Sequence, residues 1–153
     1  MNKTERAIIF LLAAINFTQI LDFVNMVPLS IYLIPDLHIS AFQFSTLVAS
    51  YSISAFFSGI IAALLIDRHD RKKTLLIAFT GFLIGSFACG IAPDYVTLLI
   101  ARIVSGTFGG LLGAQLYSIV ADIFSYERRG RAMGIVMSAL QLHLSLVCRF
   151  LFY

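Results

Sequence analysis

Four stretches of this chain are nearly free of charge. From Ile8 to Ile34 the one charged residue is Asp22, and from Val96 to Ala121 it is Arg102. From Phe44 to Ile66 and from Leu75 to Ala92 there is none. Apolar runs of ~20 residues are long enough to cross a hydrocarbon core of ~30 Å as α-helix. Strands could satisfy their backbone groups there only by closing a barrel, and no period-two alternation runs through these stretches. The composition agrees: 59% of the 153 residues are hydrophobic and 12% charged, against about 25% charged in a soluble domain. The expected fold is an all-α membrane protein. It has four complete transmembrane helices at about 8–34, 44–66, 74–92 and 96–124, and a partial fifth from about 132.

The connections are short and sort by charge. "PDLHIS" (35–40) and "APDY" (92–95) join spans on one side, without Lys or Arg. The other side carries Lys3 and Arg6, then Arg68, Arg71, Lys72 and Lys73, then Arg128, Arg129 and Arg131. A nine-to-zero split is a strong positive-inside signal and puts the N-terminus in the cytoplasm. The net charge of +3 is thereby explained by topology and calls for no nucleic acid.

The N-terminal "MNKTERAIIFLLAAINF" has the basic start and apolar core of a signal peptide. Its apolar segment runs well past that length, however, so an uncleaved first span is expected. Two cysteines, Cys89 and Cys148, make neither a disulfide framework nor a metal cluster. His38, His69 and His143 are scattered, and no nucleophile–base pair is visible, so an enzyme is not expected and no metal or cofactor is called for.

Small residues recur at a spacing of four: Ser50, Ser54, Ser58 and Ala62 in the second span, Gly81 and Gly85 in the third. In the fourth, Gly106 pairs with Gly110 and Gly109 with Gly113. Such ladders let membrane helices approach closely. They are common in polytopic proteins and do not by themselves indicate function.

Asp22 and Arg102 are more informative, because a charge at mid-membrane costs ~2.5–3.5 kcal/mol even on the lenient insertion scale. Asp22 lies about 15 Å from the outer end of its span and Arg102 about 10 Å from the same side. With Asn16, Gln19 and Asn25, Asp22 forms a polar stripe at steps of three. Two readings follow. Asp22 and Arg102 neutralise each other to hold two spans together, or a carboxylate that changes its protonation lines a wet cavity.

"ALLIDRHDRKKTL" (63–75) resembles the Gly-x-Leu-Ala-Asp-Arg-x-Gly-Arg-Lys-x-x-Leu loop of the major facilitator superfamily. Leu65, Asp67, Arg68, Arg71, Lys72 and Leu75 match, Ala63 replaces the first Gly, and Asp70 the second. Asp can visit the left-handed region a tight turn needs. "LLIARIVSGTFGG" (98–110) resembles the family's fourth-helix motif through Arg102, Gly106, Gly109 and Gly110, with Ser105 where Gln is frequent. "ILDFVNMVPL" resembles the Asp-containing signature of drug-efflux members, and "ADIFSYERRGRAMG" the end of the fourth helix and the loop after it. The resemblance covers about Ile20 to Ala139 and is nearest the drug and sugar efflux branch of proton antiporters.

That resemblance implies a multi-pass protein of the bacterial inner membrane. It implies alternating access and proton-coupled efflux of a small molecule by the intact protein, with a proton gradient instead of a cofactor. Arg102 and Asp22 would then serve proton movement. Asp67, Arg68, Arg71, Lys72 and Asp122 would latch the cytoplasmic side, with Asp67 capping a helix of the missing second half and Arg71 reaching toward Asp122. The lipid bilayer, the substrate and that second half are the implied partners. The alternative is a transport-inactive fragment, a small membrane scaffold or a partner subunit.

Residues 1–139 therefore read as the N-terminal portion of a transporter domain, and 140–153 as a doubtful tail. The fifth helix of the family carries a Gly-x-Pro segment where this chain has "LHLSLVCR" (142–149). The codons TTG CAT CTG TCG TTG GTG TGC CGA T would encode that segment. Read from their third base, they give Ala-Ser-Val-Val-Gly-Val-Pro-Ile. A frameshift near Leu140 and a natural short form with Arg149 snorkelling outward are both open on the sequence.

Overall fold

A computed structural model describes residues 3–65, 70–125 and 127–138. Its order is α1 (Lys3–Val24), α2 (Met26–Asp36), α3 (Ala41–Leu65), α4 (Arg71–Gly90) and α5 (Tyr95–Ile123), followed by a helical segment, α6, over 127–138. Among the described residues four stretches are long and apolar enough to cross a membrane: Glu5–Asp36, Ala41–Ala63, Arg71–Gly90 and Tyr95–Ile123. The all-helical expectation holds throughout the described residues.

Helix boundaries follow local chemistry that charge counting does not register. The first span is broken at Asn25, between α1 and α2. Pro28 has no N–H to return to the carbonyl of Val24, and the ladder resumes with Leu29 N donating to Asn25 O at 3.2 Å. α2 ends with His38 at φ 49°. There Ile39 N donates to Ile34 O at 3.2 Å and His38 N to Pro35 O at 3.4 Å. These are the 6→1 and 5→2 bonds of a Schellman close, with His at the position where Gly is usual. Ile39 is buried and Ile34 packs with it, supplying the apolar contact that accompanies the motif.

α3 starts three residues earlier than the hydrophobic run. Ser40 N donates to the Gln43 amide oxygen at 2.8 Å and Gln43 N to Ser40 Oγ at 3.2 Å, a capping box. α4 also starts earlier, at Arg71, because Asp70 is its N-cap: the carboxylate accepts from Lys72 N at 3.3 Å. Asp70 has φ −62° and ψ 112°. It does not occupy the left-handed conformation expected for it. A residue that caps a helix takes an extended backbone, and the cap satisfies an N–H that a left-handed turn would leave open. α6 begins at 127, not near 132, because Ser125 O accepts from Arg128 N at 2.8 Å and Arg129 N at 3.1 Å.

The chain divides into two compact units. One comprises the residues up to Val24 and those from Leu116 onward; the other is Asn25–Gln115. In the first, Ile9 and Leu12 of α1 pack with Leu116 and Val120 of α5, Phe124, and Ala132 and Val136 of α6. In the second, Met26, Ile39, Leu47 and Leu98 form the core that joins α2, α3 and α5.

Within the second unit α5 presents adjacent faces to two helices. A Cβ on Gly106 would strike the Tyr51 carbonyl oxygen at 2.5 Å and the Ser54 hydroxyl, and one on Gly110 would strike the Ala55 carbonyl. Both positions face α3. Ser105 faces α4, where a Cβ on Gly85 would lie 2.8 Å from Ser105 N. Side chains three and four apart share a helix face, so the glycines at 106 and 110 give one continuous line of close approach. Gly109 is buried, whereas a Cβ on Gly113 would meet no atom within 4 Å.

Many hydroxyls inside the spans bond to their own helix. Thr18 donates to Ala14 O, Thr46 to Phe42 O, Ser50 to Leu47 O, Ser54 to Tyr51 O, Thr80 to Leu76 O and Thr107 to Ile103 O, at 2.8–3.0 Å. Such back-bonding satisfies the hydroxyl without water. Large apolar side chains including Phe10, Phe42, Phe56 and Ile31 stand more than half exposed, as a surface solvated by lipid tails permits.

Candidate functional site

Among the described residues Arg102 is the charge that the fold encloses most completely: 5% exposed, on α5 within the second unit. Its Nη2 donates to the sulfur of Met26 at 2.8 Å. Its Cζ lies 6.0 Å from the centroid of the Tyr51 ring, the outer reach of a cation–π contact. Met26 is 2% and Tyr51 8% exposed. The break at Asn25 makes Met26 the first residue of α2, and α3 brings Tyr51 beside Gly106, one helical turn along from Arg102. The guanidinium thus sits against two soft, polarisable neighbours contributed by two other helices.

Asp22 lies on α1 and is half-buried, as are Asn16 and Gln19 on the same helix. Asn16 Nδ2 donates to the backbone carbonyl of Val136 in α6 at 3.1 Å, so this part of the polar stripe ties two helices of the first unit together. Arg71 is the first residue of α4, half-buried, with Lys72 exposed beside it; Asp122 is exposed in the last turn of α5. Asp67 and Arg68, and the tail 140–153, lie outside the described residues.

Three features were missed in reading the sequence. Met26 and Tyr51 are 76 and 51 positions from Arg102 and carry no local signal of proximity. Gln115 is fully buried on α5, and among the described residues neither polar atom of its amide has a hydrogen-bond partner. Its signal was available: it is the one carboxamide in the long apolar run of α5. The third is a cleft of about 560 Å³ between α3, α4 and α5, lined by Ser54, Phe57, Ser58, Ile61, Thr107 and Leu111 among others, with no charged residue among the described ones. That volume is within the ~300–1,000 Å³ of small-molecule sites. Among the described residues no cluster of three or more His, Cys, Asp or Glu could hold a metal ion.

Comparison with known proteins agrees with this architecture. The profile of the Major Facilitator Superfamily matches residues 11–146. The chain is 29% identical over 133 residues to the uncharacterized MFS-type transporter YhcA of Bacillus subtilis, covering 87% of this chain and 25% of that protein. It is 36% identical over 92 residues to Multidrug resistance protein 3 of the same organism, covering 60% and 18%. To Multidrug resistance protein 2 it is 26% identical over 140 residues, covering 92% and 35%. The chain therefore spans about a third or less of the length of these relatives. With four membrane-length helical stretches and a profile match across most of its length, this multi-pass membrane chain belongs to the Major Facilitator Superfamily.

Proposed function

We propose that the intact protein is a secondary active transporter that exports a small molecule from the bacterial cytoplasm, driven by the proton gradient and working by alternating access. The single observation that carries this reading is the near-complete burial of Arg102 within a 29-residue membrane-length helix. A permanent cation in that position costs several kcal/mol, and a membrane span that retains one has a use for it. The use proposed is governing proton movement, with Asp22 as the group that takes and releases the proton. The export direction is supported by the multidrug-resistance names of two relatives.

The basic residues set the N-terminus and the loops around Asp70 and Ser125 in the cytoplasm of an inner-membrane protein. Asp67, Arg68, Arg71, Lys72 and Asp122 form the clasp that holds that side shut, acting with helices of the second half of the transporter. A cluster of charge pairs at helix ends is a switchable contact.

The test is efflux in everted membrane vesicles from cells expressing a full-length transporter built on this chain. Expected is export of a lipophilic cation such as ethidium that collapses on adding a protonophore and is lost in Asp22→Asn. Asp67→Asn and Arg71→Ala should insert normally and lose most coupled export, with a double variant less impaired than the sum. Transport that persists in Asp22→Asn and ignores the protonophore would overturn proton coupling through this residue.

A further inference from the structure

Where α5 gives way to α6, a cavity of about 190 Å³ is lined by Phe124, Arg128, Arg131 and Ala132. Arg128 and Arg131 are three apart on one helix and so share a face. Both are exposed. Two cations held side by side repel, and among the described residues neither guanidinium has a hydrogen-bond or carboxylate partner; Glu127, four residues before Arg131, makes no ion pair with it. Arg129 behaves differently: its Nε donates to the carbonyl oxygen of Phe124 at 3.0 Å, closing the end of α5. One arginine of the "RRGR" stretch therefore finishes a helix, and the other two border an open cavity; among the described residues its lining is completed by Phe124 and Ala132, 4% and 3% exposed.

We infer that this cavity binds the phosphodiester of an anionic phospholipid, its oxygens between Arg128 and Arg131 and its glycerol carbons against Phe124 and Ala132. Guanidinium forks match phosphate oxygens bidentately. The amphipathic lining, cationic on one side and apolar on the other, fits a group attached to hydrocarbon better than a fully hydrated ion. The position agrees as well: the site lies at the end of a membrane-length helix, where headgroups are, and basic pockets at such ends take anionic headgroups. Positive-inside topology requires only that arginines be present in this loop; it does not require two of them to border one cavity.

The test is native mass spectrometry of the purified 153-residue chain in neutral detergent doped with phosphatidylglycerol or with phosphatidylcholine of the same acyl chains. Expected is one retained phosphatidylglycerol in preference to phosphatidylcholine. Arg128→Gln/Arg131→Gln should lower that preference roughly tenfold. Arg6→Gln/Lys73→Gln, which removes the same charge from elsewhere in the chain, should leave it unchanged. Arg128→Lys/Arg131→Lys should retain most of it and shows that the position tolerates substitution. Equal retention of the two lipids, or equal loss in the lysine variant, would overturn the site. Displacement of the lipid by millimolar inorganic phosphate would assign the cavity to free phosphate and overturn the lipid.

Discussion

The guanidinium of Arg102 and the thioether of Met26 meet at 2.8 Å, both side chains nearly excluded from the surface. Sulfur is a weak acceptor, so this contact is held chiefly by packing. Met26→Leu, close in volume, should destabilise the chain by less than ~1.5 kcal/mol. Met26→Ala should cost ~2–5 kcal/mol, by opening space beside a buried cation. Arg102→Lys should not be a mild change, since it removes the planar group that lies over Tyr51. Unfolding in mixed detergent micelles, followed by circular dichroism, ranks the three.

Gly106 and Gly113 lie in one helix and should respond oppositely to the same methyl group. At Gly106 the added carbon meets Tyr51 and Ser54, so Gly106→Ala should destabilise by ~1–3 kcal/mol. At Gly113 it meets nothing, and Gly113→Ala should stabilise by up to ~1 kcal/mol through reduced chain entropy. The same unfolding measurement reads both.

Gln115→Met replaces a buried, unpartnered amide with an apolar side chain of similar length. It should raise the stability of this chain by about 1 kcal/mol or more, the desolvation cost of unsatisfied polar atoms. If the amide serves transport, the same substitution in a full-length transporter should reduce export while stabilising the protein, which vesicle efflux measures directly.

His38→Gly should stabilise the α2–α3 connection by ~1 kcal/mol, since glycine holds a positive φ without steric cost. Asp70→Ala should cost about as much, by removing the acceptor from Lys72 N and the acid that directly precedes Arg71, Lys72 and Lys73. Hydrogen exchange at the first turn of α4 should quicken in Asp70→Ala and remain as it was in His38→Gly.

Topology is checked by labelling in a Cys89→Ala, Cys148→Ala background. Cysteines at Asp36 and Asp94 should react with an impermeant thiol reagent from outside intact cells, and one at His69 should not. The reverse pattern would overturn the orientation proposed from the nine basic residues.

The spans were legible because removing charge from ~20 consecutive residues leaves few folds open. Their ends were less so. Ser40 with Gln43, and Asp70, moved two helix starts outward through hydrogen bonds that a hydrophobicity pattern does not count. Pro28 was in plain view, and its missing N–H predicts the break at Asn25 once the ladder is counted bond by bond. Arg102 could be singled out by its charge. Its neighbours could not, because a sulfur and an aromatic ring from other helices have no sequence spacing to betray them.

The hydroxyls that return to their own helices bear on how this part of the molecule can move. Thr46, Ser50, Ser54 and Thr107 complete their bonding inside a single turn, so sliding α3 along α5 breaks none of those bonds. Resistance to such sliding comes instead from the Ser58 hydroxyl of α3, which donates to the Thr107 carbonyl oxygen of α5, and from interlocked surfaces, Gly106 under Tyr51 and Gly110 under Ala55. Steric contact of that kind falls away within a fraction of an ångström, so it opposes motion at discrete registers and little between them. A helix pair built this way has preferred stops and a polar tether at Ser58, and bulk added at either glycine shifts where those stops fall.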